Sequence, residues 1–69
     1  MDDLTIMAQR LKDFRKQQGL TQSEVAKKLC ISQQAYASYE TATKEPKIDT
    51  LKRLADLYKT SIDYLVGRY

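Results

Sequence analysis

Sixty-nine residues suffice for one small domain, with a core so modest that stability depends on close packing. Charged residues make up 30% and apolar residues 42%, which excludes a disordered tail, and no apolar run approaches the roughly 18 residues that span a bilayer. A net charge of +3 is mildly basic and tolerates a polyanionic partner without demanding one.

The first predicted helix carries Leu4, Met7, Leu11 and Phe14 on one face, with Arg10, Lys12, Asp13, Arg15 and Lys16 between them. Asp3 is its expected N-cap and Gly19 its stop. A second helix begins at Thr21, with Glu24 completing a capping box and Leu20 stapling to Val25; Val25, Ala26 and Leu29 form its apolar face. Ser32 caps a third helix running to about Thr41, where Ile31 staples to Tyr36, and Tyr36 and Tyr39 are expected to face inward. The segment 42–47 reads as a loop, because Pro46 disfavours helix at Glu45. Ile48, Leu51, Leu54, Ala55 and Tyr58 define a fourth amphipathic helix. Ser61 starts a short fifth with Ile62, Leu65 and Val66, ended by Gly67. No strand pattern or internal repeat is present, so the fold class is all-α.

The caps Thr21 and Ser32 lie eleven residues apart, room for about two helical turns and a tight turn. Two such short helices must cross on the others, which is the helix-turn-helix arrangement. The stretch from Leu20 to Glu40, with Pro46 and the Leu51, Leu54 and Ala55 helix after it, resembles the Cro/C1-type (XRE) helix-turn-helix family across residues 8–66. That resemblance implies a five-helix, lambda-repressor-like domain over residues 1–69, with helices 2 and 3 as the motif at about 21–41. The family usually has Gly where Cys30 and Ala42 stand, and often a Ser cap where Lys47 stands. A Cβ at a left-handed position costs about 1 kcal/mol.

The outward face of helix 3 holds Gln33, Gln34, Ala37, Ser38 and Thr41, and no charge. A neutral polar surface would look the same in isolation. A Gln amide, however, can pair with adenine N6 and N7 in the major groove, and small Ala and Ser side chains allow close approach. The resemblance implies base reading by Gln33 and Gln34, with Ser38 third and Ala37 beside it. It also implies that Gln22 clamps a phosphate at the start of helix 2, where helix polarity favours an anion. Thr21, Lys44, Lys47 and Tyr39 are further phosphate candidates, whereas Lys27, Lys28, Lys52 and Arg53 read equally well as solvated charges. Arg15 and Glu40 match a family ion pair that positions the recognition helix. Cys30 reads as a half-buried turn residue, and Tyr36, Tyr39 and Tyr58 as core or core-edge rings with hydroxyls at the surface.

The expected function is sequence-specific binding of double-stranded DNA as a transcriptional regulator, acting as a homodimer on a two-fold-related operator. Leu57, Tyr64, Val66 and Tyr69 are the candidate dimer contacts. The rival is a protein-docking helix-turn-helix module, or an antitoxin that also binds a partner protein. With no histidine, one cysteine and no glycine-rich phosphate loop, no catalytic residue, metal site or cofactor is expected. Asp2 and Asp3 stand where a secretory leader would be basic, so a cytoplasmic location is expected.

Overall fold

A computed structural model describes residues 2–68 and contains five α-helices, with no strand among the described residues. They are α1 (Asp3–Gln17), α2 (Gln22–Leu29), α3 (Gln33–Glu40), α4 (Ile48–Leu57) and α5 (Ile62–Leu65). None of these helices is long and apolar enough to cross a membrane. Tyr69, one of the candidate dimer contacts, lies outside the described residues.

Side-chain caps open four of the five helices. The α2 capping box is complete: Thr21 Oγ1 accepts from the Glu24 amide at 3.1 Å, and Glu24 Oε1 accepts from the Thr21 amide at 2.9 Å. Ser32 and Ser61 cap α3 and α5 by accepting from Ala35 and Tyr64. Asp2, rather than Asp3, caps α1, accepting from the Thr5 amide at 2.7 Å. The reason is spacing: a cap oxygen reaches the amide three residues on, and Thr5 opens the α1 ladder one residue earlier than expected. Lys47 precedes α4 with no side-chain cap.

All five helices end in one motif. A residue with positive φ follows the helix, and the next amide reaches back five residues to a carbonyl. Gly19 and Gly67 supply it after α1 and α5, with φ of 69° and 86°. Cys30, Ala42 and Lys59 supply it after α2, α3 and α4, with φ of 59°, 61° and 52°. Cys30 is exposed there rather than half-buried, because the left-handed turn carries its side chain outward while Ile31 packs on the core.

Each helix sends one side chain into the fully buried centre: Leu11, Val25, Tyr36, Leu54 and Leu65. Burying each such side chain stabilises the fold by roughly 1.5–3 kcal/mol. Met7, Leu29, Leu51, Ala55 and Tyr58 surround them, and Ala26 lies among them as the small residue on the inner face of α2. Ile48 departs from the expected α4 face, since 69% of it is exposed. It is the first residue of α4, beyond the core's edge, and the buried Pro46 sits at that end instead.

Cys30 and Ala42 hold left-handed backbone that glycine adopts without steric cost. Cys30→Gly and Ala42→Gly should each raise stability by about 0.5–1 kcal/mol, the strain relieved less the added unfolded-state entropy. Urea denaturation of the two variants checks this; an unchanged or lowered midpoint would contradict it.

Candidate nucleic-acid interface

The face of α3 is built by its cap. Ser32 satisfies the Ala35 amide, so Gln33 and Gln34 stand at the first two helical positions, both exposed. Neither side chain hydrogen-bonds to another described residue, so each amide is free to meet a partner. Ala37 and Ser38 follow half-buried, and Thr41 is exposed. The Ser38 hydroxyl donates to the Ala35 carbonyl at 2.5 Å, so its proton is already committed. Tyr39 is half-buried and packs against the core's edge, with its ring edge-on to Tyr36 at 6.3 Å between centroids.

At the other end of α3 lies a buried charge. The Glu40 side chain is only 1% exposed, and Arg15, 15% exposed, reaches it from α1. Arg15 Nε donates to Glu40 Oε2 at 2.7 Å and Nη2 donates to Oε1 at 3.1 Å. Arg15 Nη1 donates to the Leu20 carbonyl at 3.0 Å, which holds the turn entering α2. Gln22 Nε2, from α2, donates to Glu40 Oε1 at 3.1 Å. Thus Arg15, Gln22 and Glu40 converge, whereas Gln33 and Gln34 stand apart from them at the start of α3.

Sequence reasoning placed the tyrosine hydroxyls at the surface. Instead Tyr36 and Tyr58 are buried and their hydroxyls hydrogen-bond each other at 2.7 Å. Either phenol can be the donor in that bond. The Tyr36 hydroxyl also lies near enough to Glu40 to favour its charged form. The polar chain thereby links α1, α2, α3 and the end of α4. Tyr58 carried no sequence signal beyond its apolar spacing.

Lys44 and Lys47 are exposed in the loop after α3. The Lys44 amide is tied to the Ser38 carbonyl at 3.3 Å, which sets the loop against the helix end. Arg53 donates to the Leu29 carbonyl at 3.3 Å, closing the end of α2. Arg10 donates to the Tyr64 carbonyl and lies 3.9 Å over that ring. These arginine contacts had no local sequence signal, as the partners lie 24 and 54 residues away.

Burial alone would raise the Glu40 pKa, but hydrogen bonds from Arg15, Tyr36 and Gln22 and the Arg15 charge hold it below the ordinary value. Burial pushes Tyr58 up to about 12, and burial with the Tyr58 and Glu40 hydrogen bonds pushes Tyr36 upward as well. A lowered carboxyl stabilises the fold above its unfolded pKa, and that stability is lost as pH falls through the folded value. Raised phenols act oppositely: their stability is complete below the ordinary value of 10.0 and falls as pH rises toward about 12. Chemical denaturation across pH should therefore show losses on the acid side and again between these alkaline values. Arg15→Ala, which leaves Glu40 buried without its counter-charge, should cost about 3–5 kcal/mol in the same assay at neutral pH.

The helix-turn-helix motif has counterparts among known proteins. A family model described as helix-turn-helix matches residues 11–65. The HTH-type transcriptional regulator ImmR of Bacillus subtilis is 42% identical over 62 residues, covering 90% of this chain and 49% of that protein. The uncharacterized HTH-type transcriptional regulator YobD of Bacillus subtilis is 42% identical over 59 residues, covering 86% of this chain and 53% of its own. The cryptic phage CTXphi transcriptional repressor RstR of Vibrio cholerae is 33% identical over 62 residues, covering 90% and 56%. The chain thus spans about half the length of the curated relatives it matches. By the match over most of its length, the chain belongs to the helix-turn-helix family, of the Cro/C1 (XRE) type.

Proposed function

We propose that residues 1–69 form a single DNA-binding domain that recognises a specific double-stranded sequence and regulates transcription, as a repressor. One observation carries the reading: α3 offers an uncharged face of Gln33, Gln34, Ala37 and Ser38, with both glutamine amides exposed and unpaired. A solvated surface helix in a chain with 30% charged residues would carry charge there. In the major groove, Gln33 and Gln34 read base edges, Ala37 permits close approach, and Ser38 offers its oxygen as an acceptor. Gln22, with the α2 N-terminus capped by Thr21, meets a phosphate. Lys44, Lys47 and Tyr39 flank α3 and add backbone contacts. The regulator and repressor names carried by ImmR and RstR support the reading.

A single module of this size reads only a few base pairs, so we place it on DNA as a homodimer at two half-sites about one helical turn apart. Of the dimer candidates, Leu57 and Val66 are packed against the chain's own core. Among the described residues, Tyr64, 39% exposed, and Ile48, 69% exposed, are the large apolar side chains still available for a second copy. The place of action is the cytoplasm.

Selection from random-sequence duplexes at two salt concentrations tests the function. A two-fold-symmetric consensus is expected, with affinity falling steeply as salt rises. Gln33→Ala or Gln34→Ala should relax one position per half-site, a discrimination of about 1–3 kcal/mol each. Folded protein that enriches no sequence at low salt would point to a protein-docking or antitoxin module instead.

A further inference from the structure

Within the DNA-binding reading, on which this inference rests, we propose that Glu40 is a positioning residue for Gln22 and decides which edge of the Gln22 amide faces the phosphate. Glu40 Oε1 accepts a hydrogen bond from Gln22 Nε2 at 3.1 Å. A carboxylate can only accept, so the amide nitrogen must face it and the amide oxygen must turn away. Arg15 holds the carboxylate through two hydrogen bonds. The acceptor is therefore buried and ionised, and Gln22, half-buried at the start of α2, is one of its donors.

A phosphate oxygen is likewise only an acceptor. It needs the second Nε2 proton of Gln22, and this orientation leaves that proton unused by Glu40. An amide without such an anchor rotates, and half of its flips offer oxygen to oxygen, which repels. Glu40 thus removes the unproductive flip before DNA arrives, while the Arg15 charge offsets the repulsion that a nearby carboxylate would exert on a phosphate. Gln33 and Gln34 have no comparable anchor, which leaves their amides able to turn to whichever base edge is offered.

A double-mutant cycle on duplex binding tests this, using the consensus duplex and the folded chain. Gln22→Ala should weaken binding roughly three- to tenfold, as one hydrogen bond does, with little change in the salt slope, because a neutral amide releases no counterion. Glu40→Gln, which no longer demands a donor from Gln22, should give a similar loss. In the Gln22→Ala background, Glu40→Gln should add less than about twofold. Fully additive losses would overturn the proposal. Should Glu40→Gln not fold, the unaltered chain still decides. One Gln22 side-chain amide proton should exchange with water more slowly by NMR than those of Gln33 and Gln34, and equal exchange overturns the proposal. If the unaltered chain binds no duplex, the DNA reading itself fails and this inference with it; binding with additive losses defeats this inference alone.

Discussion

A carboxylate almost wholly removed from water imposes a demand that the rest of this small fold is arranged to meet. Glu40 ends α3, and taking its charge out of water is costly unless several donors surround it. Arg15 comes from α1 and Gln22 from α2, while the paired Tyr36 and Tyr58 hydroxyls tie α3 to the end of α4. A well-packed apolar group could match such a pair in net stability. What the ionic version adds is direction, because each donor must approach the carboxylate along a hydrogen bond. The end of α3 is thereby located relative to three other elements at once. The half of the helix that offers Gln33 and Gln34 then extends from an anchored base.

Short connections make this possible. Helices of eight residues, such as α2 and α3, are too short to persist alone and depend on caps and packing. The capping box at Thr21 and the left-handed turn at Cys30 complete both ends of α2 within its own neighbourhood. Ser32 begins α3 two residues later. Five helices ending in the same reversal, two through glycine and three through Cys30, Ala42 and Lys59, allow a core from every helix with little chain spent on loops. The left-handed strain at the three non-glycine sites is offset by the carbonyls that those turns satisfy and by the packing of the residues that follow.

The proposed reading face follows from this division of labour. Charge is used internally at Glu40 and Arg15, for helix closure at Arg53 and Arg10, and in solvent along α1, α2 and α4. α3 keeps only neutral polar and small side chains outward. That face suits a surface whose information lies in hydrogen-bond donors and acceptors rather than in net charge, while the exposed Lys44 and Lys47 supply positive charge at its margin.

Local physics in the sequence by itself determined the helices, most of their ends and the motif. Caps act over three residues and apolar spacing over one turn, so Thr21 with Glu24, Ser32, Ser61 and the faces of α1, α2 and α4 were legible without coordinates. Gln33 and Gln34 were visible as candidates for the same reason, since a helix start and the absence of charge are both local facts. Only the tertiary structure decided that Ile48 stays outside, that Tyr39 is merely half-buried, and that the Tyr36 and Tyr58 hydroxyls meet in the core. It alone joined Gln22 to Glu40 across 18 residues and Arg10 to Tyr64 across 54. Those outcomes depend on which elements cover one another and on how a few buried polar groups share protons, and neither is encoded within a single turn of chain.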